Sequence, residues 1–383
     1  MNSNAEQSDD TRSSAQRSPA NAPGVSPLWA VLSIVVLHSV GTAVIWHVIF
    51  YVAEEVLEYS RLANLTLAVV TGACYTASAF GSGAVVERVR RSRGVSLRAV
   101  LIGLLLGSAG FAAAPVVMGE VGLWLFATVY SVLTGMVWPV VEAFLAGGRR
   151  GRSLRVASGR FNVSWSSAVV VASVAASPLV ALAPGAILFG LAGVHLLTIL
   201  PALKLAREPA ASGGTPAPDE HDPHAPGERL AERLLAAFRT LNFSSYALLA
   251  SLSPVLPHML EGFAVEKANR AAIGGTWMLT RVLTFVLFER WHGWHSSRLT
   301  PAAAAVLLLA GTVGAFAASS VAVLVVSLAV LGVGAGVAYA GAIYYAVHAK
   351  AGHVDAGGKH EGFIGLGYTL GPVLGFGVVL LMT

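Results

Sequence analysis

Residues 62–94 read LANLTLAVVTGACYTASAFGSGAVVERVRRSRG. No charged residue occurs from Leu62 to Val86, and then Glu87, Arg88, Arg90, Arg91 and Arg93 follow almost at once. A helix rises 1.5 Å per residue, so about 20 uncharged, mostly apolar residues cross the ~30 Å hydrocarbon core of a bilayer. The cluster of arginines behind the run cannot enter that core and marks its aqueous end. This one stretch therefore reads as a membrane-spanning helix followed by a basic loop.

The same unit recurs along the chain. Apolar runs fall at 28–52, 62–86, 97–117, 121–146, 163–183, 185–204, 241–262, 272–291, 300–318, 321–347 and 362–382, which predicts eleven transmembrane helices. Composition agrees. Of 383 residues 55% are hydrophobic and 12% charged, with a mean hydropathy of +0.69. A soluble domain carries roughly 25% charged residues, so a set of soluble domains is excluded. Barrel strands alternate in polarity over about ten residues, whereas these runs are continuous. The expected fold class is an all-α polytopic membrane protein.

Net charge is +5 and the isoelectric point about 9.5. Its basic residues lie in the loops, where they set orientation, so nucleic acid is not an expected partner. Cys74, the single cysteine, sits inside an apolar run, which excludes disulfides and thiolate metal clusters. Residues 1–27 read as a disordered tail, 28–204 as a six-helix half, 205–240 as a polar linker and 241–383 as a half with five helices. His221, Asp222 and His224 in the linker fit a flexible polar segment better than a metal site.

Loops after the second, fourth, eighth and tenth runs hold fourteen basic residues, against three (Arg61, Lys267 and Arg270) in the opposite loops. The positive-inside rule then places the N-terminus, the linker and the basic loops in the cytoplasm of a multi-pass protein, expected in a bacterial inner membrane.

The two halves echo each other. Glu87-Arg88 closes the second run and Glu289-Arg290 the eighth, at an offset of 202. Gly135 and Trp138 in the fourth run correspond to Gly336 and Tyr339 in the tenth, at an offset of 201. Ser177-Pro178 corresponds to Gly371-Pro372 at 194. Three pairs in one order indicate a duplicated unit, a known construction of transporters.

On these residues the chain resembles the major facilitator superfamily over nearly all of 28–383. The family's loop between helices 2 and 3 is matched by Gly83, Glu87, Arg88, Arg90 and Arg91, with Arg90 in place of a second glycine. Gly367, Gly371, Pro372 and Gly375 match its eleventh helix, and Ser131 stands where proton antiporters of the family carry arginine. The family has twelve helices, so the twelfth is expected to be lacking. The resemblance implies two six-helix bundles that rock about a midplane solute site. It also implies that Glu87 faces the N-terminal end of the eleventh helix and that Glu142 pairs with Arg88.

A charge in mid-membrane is a functional candidate by default. Arg281 lies ten residues into the eighth run, where only Glu289 in that run has opposite charge. It suits an anionic group of a solute or a transport carboxylate. His38 and His47 in the first run suit a proton relay, while His195 is expected to be structural at the bundle edge. Trp138, Tyr339, Tyr344 and Trp165, on helices that face the family's cavity, suit an aromatic or amphipathic solute. The coupling and gating candidates are Glu87, Arg88, Glu142, Glu289 and Arg290. GxSxG, HExxH, paired CxxC and phosphate-loop motifs do not occur, so no enzyme, cofactor or metal is expected. The expected function is secondary transport of a small solute, coupled to protons or another ion. The rival is a non-transporting membrane sensor or assembly factor on the same scaffold.

The loop asymmetry is directly testable. Reporter fusions at Gly94 and Gly151 should both report the cytoplasm, and a periplasmic signal at either site would reverse the orientation.

Overall fold

A computed structural model describes residues 25–149, 151–210, 228–291, 293–294, 297–349 and 354–382. The expected tail up to residue 24 and the linker residues His221, Asp222 and His224 lie outside the described residues, as do Arg150 and Lys350. Among the described residues every regular element is helical.

The rods are α1 (Leu28–Leu57), α2 (Arg61–Arg93), α3 (Leu97–Ala112), α4 (Ala114–Ala146), α5 (Gly151–Leu182) and α6 (Pro184–Ala202). After the linker come α7 (Glu228–Leu252, continued by the short helix Leu256–Gly262), α8 (Lys267–Arg290), α9 (Leu299–Phe316), α10 (Val321–Ala349) and α11 (Val354–Met382). Helices α1, α2, α4, α5, α6, α8, α9 and α10 are long and apolar enough to span a bilayer, and α3 is a shorter apolar helix. Val171, Leu200, Val306 and Val326 leave 61–67% of their surface exposed, which suits hydrocarbon as the surrounding solvent. The chain is a multi-pass membrane protein.

Several boundaries differ from the sequence expectation. The third helix stops at Ala112, and Gly119, at φ 57°, reverses the chain before Glu120. Tyr59, in the turn before α2, donates to Glu120 across this corner at 2.9 Å. Burial, reinforced by that carboxylate, pushes the Tyr59 pKa up to about 12. Helix α7 starts at Glu228, so residues 228–240, expected as linker, are helical, and α11 starts at Val354 rather than 362. Amphipathic or charged first turns hid both starts, because hydropathy detects only the buried length of a helix.

Helices α1 and α4 each contain one wide, π-type turn, at Val44–Val48 and Phe126–Tyr130. In the first, the Ile49 amide reaches back five residues to the Val44 carbonyl. Such turns occur inside helices mainly at functional positions.

Basic residues beyond the spans also serve as caps. Arg149 donates to the Phe144 and Leu145 carbonyls at the end of α4 and to Ser26 at 2.6 Å. Arg98 caps the end of α6 through the Leu203 and Leu205 carbonyls. Positive groups at helix C-termini complement both the free carbonyls and the dipole.

Small residues decide which helices touch. A Cβ on Gly135 of α4 would come 2.2 Å from Ser78 of α2, and one on Gly336 of α10 would come 2.7 Å from Thr284 of α8. The equivalent glycines thus do the same work in each half. Across the halves, α5 meets α8 where Ser177 Oγ accepts the Ala272 N–H at 3.1 Å. Helix α11 meets α2 along Gly358, Gly362, Gly365 and Gly72, each close enough that a Cβ would collide with the facing helix.

Gly371 illustrates the cost of losing such contact, since a Cβ there would lie 2.2 Å from the Ala247 carbonyl oxygen of α7. Gly371→Val should destabilise the protein by about 1–3 kcal/mol through overpacking. Gly377→Val, where nothing lies within 4 Å, should be near neutral. Melting temperatures in detergent decide this, and equal melting of the two variants would refute the close packing.

Candidate functional site

Between the halves lies a narrow cavity walled by residues of both. Helix α1 contributes Thr42, Trp46 and His47, α2 Tyr75, α4 Trp138, and α5 Phe161 and Trp165. From the second half come Tyr246 of α7, Met278 of α8, Tyr339 of α10, and Glu361, Ile364 and Tyr368 of α11. Nine of these thirteen residues are aromatic, counting His47, and Glu361 is the one acid among them.

The rings interlock across the boundary. Trp46 stacks on Tyr368 with centroids 3.6 Å apart and planes 4° from parallel. Trp165 of the first half meets Tyr339 of the second at 5.4 Å. Trp138 packs edge-on against Phe161 at 5.8 Å. Such geometry adds about 0.5–1.5 kcal/mol per pair beyond area burial.

Arg281 is completely buried just behind this wall. Its guanidinium carbon lies 4.7 Å from the Tyr339 ring centre, 4.8 Å from Trp165 and 5.1 Å from Tyr246. Phe285 and Trp277 complete a shell of five rings. Nη2 donates to Tyr246 Oη at 3.0 Å, while Nε and Nη1 have no hydrogen-bond partner among the described residues. Among the described residues no ion pair holds it there either. Ring faces attract the cation but do not accept its hydrogen bonds as an anion would.

At the end opposite the basic loops, ion pairs tie the halves together. Lys267 Nζ of α8 lies 2.7 Å from the Glu55 carboxylate of α1, and Arg270 lies 3.4 Å from Glu54. Arg270 also stands 3.9 Å from Glu261, and His258 lies 3.8 Å from Glu54. Toward the basic end, Glu142 of α4 and Glu361 of α11 approach each other, and Glu361 accepts a hydrogen bond from Tyr75 of α2.

The structure places the other sequence candidates as follows. Trp138, Trp165 and Tyr339 line the cavity. Tyr344 does not: it belongs to a separate cluster with Trp294, Phe238 and Tyr345. His38 lies behind the wall, between Trp138 and His195, with neither ring nitrogen bonded among the described residues. His195, expected at the bundle edge, is fully buried and hydrogen-bonded to Tyr130 Oη at 2.8 Å. Glu87 pairs with Arg90 and Arg91 on its own helix rather than with the start of α11. Glu142 meets Glu361 instead of Arg88, which is exposed. Glu289 and Arg290 are exposed at the end of α8.

Sequence reasoning did not place Trp46, Tyr75, Tyr246, Tyr368 or Glu361 in the site. Trp46 follows Thr42 by four residues, which puts both on one helix face. The other partners come from distant helices, and no local spacing points to them.

Solved structures share the overall fold. A POT family transporter in complex with 5-aminolevulinic acid superposes with a TM-score of 0.67 at 11% identity, covering 93% of this chain and 90% of that one. The nucleoside transporter NupG matches with a TM-score of 0.61 at 13% identity, covering 91% and 89%. A bacterial homologue of the human lysosomal transporter Spinster, inward-facing and unoccupied, gives 0.61 at 13% identity, covering 90% and 80%. No family model matches the chain, and no curated protein does. The chain thus shares the fold of these three solved structures.

The Arg281 environment generates a stability test. A buried charge without a carboxylate is a cost that an apolar side chain of similar length avoids. Arg281→Met should therefore raise stability by about 1–4 kcal/mol. A lowered melting temperature would show instead that the ring shell holds the charge at net gain.

Proposed function

We propose that the chain is a secondary transporter of the bacterial inner membrane, carrying a small solute by alternating access. One observation supports this above all: a single aromatic cavity is walled by both halves and lies between two inter-half closures. The ion pairs of Glu54 and Glu55 with Arg270 and Lys267 form one closure, and the contact of Gly358 and Gly362 of α11 with Ala79, Ser82 and Phe80 of α2, toward the basic end, forms the other. Loosening either one alone exposes the cavity to a single side. Two packings of rigid halves provide the two states that such a cycle needs.

The basic loops favour a cytoplasmic N-terminus, which puts the acidic-end ion pairs outside. Polar-tipped rings on the cavity wall suit an amphipathic or aromatic solute. Among the structural neighbours, one is bound to 5-aminolevulinic acid and another is named a nucleoside transporter, which supports a small polar solute. Uphill movement draws on an ion gradient, and the solute leaves chemically unchanged. No enzymatic step is assigned.

A reversible lock tests the cycle. In a Cys74→Ser background, the Glu55→Cys and Lys267→Cys pair should cross-link the outer ends of α1 and α8. Proteoliposomes carrying it are screened with labelled amino acids, nucleosides and aromatic carboxylates. Uptake should vanish on oxidation and return on reduction. Uptake that ignores the cross-link would refute alternating access.

A further inference from the structure

Two carboxyl groups meet where the halves close toward the basic end. Glu142, near the end of α4, and Glu361, in α11, come from different halves. Their oxygens lie within 4.8 Å of each other and of a His360 ring nitrogen. Tyr75 of α2 donates to Glu361 from the other side. The α11 backbone is seated on this contact, since a Cβ on Gly357 would come 2.4 Å from Glu142 Oε2. Neither carboxyl forms an ion pair among the described residues.

One carboxyl can donate to the other only while it carries a proton, because an ionised carboxylate has only acceptors. With both ionised, two like charges would stand within 4.8 Å of each other away from bulk water and would repel. We propose that Glu142 and Glu361 share one proton that clasps the two halves together, so that the coupling ion is a proton and its uptake closes the basic-end side of the cavity. This rests on the transport reading above and names its ion and the place where the ion acts. In the clasped state one carboxyl donates its O–H to the other's oxygen. When the halves part, that proton leaves to the water entering between α4 and α11, and both groups become carboxylates. Since Glu361 also lines the cavity, the clasp and a bound solute can sense each other.

The surrounding groups leave this pair as the proton carrier. Tyr75, Tyr246 of α7 and Tyr339 of α10 are phenols, with ordinary titration near pH 10. Arg281 of α8 and Arg239 of α7 bring positive charge toward His360. Lys359, on the same turn of α11, is exposed. His360 is the rival, as it ordinarily titrates close to neutrality.

The sign follows from linkage. The closed state holds one proton more than the open state, so acid favours closure and alkali favours opening. Between the limits, the closed-to-open ratio should change about tenfold per pH unit.

Spin labels on Ser92→Cys of α2 and Ala236→Cys of α7, in a Cys74→Ser background, report the inter-half distance in nanodiscs by electron–electron resonance. No solute is needed, so a failure here is distinct from a failure of the transport reading, which the cross-linking assay decides. The wild-type distance should lengthen as pH rises. Glu142→Gln and Glu361→Gln each supply a neutral donor and should keep the short distance at every pH, while His360→Gln should retain the response. A wild-type distance that ignores pH overturns the proposal, even if a glutamine variant fails to fold. So does a response lost only in His360→Gln, or one that follows sodium or manganese at fixed pH.

Discussion

In hydrocarbon, burying an apolar side chain against another helix gains little, because lipid tails are equally apolar. Association depends on how closely two backbones can approach. Between α2 and α11 that approach is set by Gly72, Gly358, Gly362 and Gly365, and Thr76 and Thr369 add a hydroxyl contact at 3.0 Å. These helices belong to different halves, so the seam is one of the contacts that set how closely the halves meet. Tyr75 reaches Glu361, and Trp46 reaches Tyr368, only because the backbones are this near. The cavity walls are a consequence of the seam.

Within those walls, opposite charges are handled in different ways. Glu361 is met by a hydrogen-bond donor on α2 and a second carboxyl on α4, whereas Arg281 is met chiefly by ring faces. No ion pair joins the two among the described residues. A direct Arg281–Glu361 pair would neutralise both and leave the cavity with no charge to offer. Keeping them apart, with Tyr246 and Tyr339 near both, preserves one positive and one negative region around the same space.

Much of this architecture is legible in the sequence, because the bilayer imposes length and charge rules that act within one segment. The apolar runs, the basic loops, the duplicated Gly135 and Gly336, and the burial of Arg281 are all of this kind. Pairings between helices are not. Nothing local links Glu142 to Glu361. Two readings did contain their own correction. Glu87 lies three and four residues before Arg90 and Arg91, the spacing of partners on one helix. Tyr344 follows Tyr339 by five residues, which turns it about 140° around α10 and away from the cavity. Helix starts at Glu228 and Val354 were hidden by their charges, since hydropathy registers membrane depth and not helicity.

The wide turn in α1 carries one residue more than an ordinary turn, and that surplus acts as a dislocation in the helix. On one side of it lies Thr42, and within it lie Trp46 and His47, all three on the cavity wall. Beyond it stand Glu54 and Glu55, which face the second half. If the surplus relaxed into a regular turn, everything beyond it would swing by about 100° in azimuth. The ring geometry at the cavity and the acidic residues at the outer rim are thereby geared to each other through the winding of a single helix, with no hinge required.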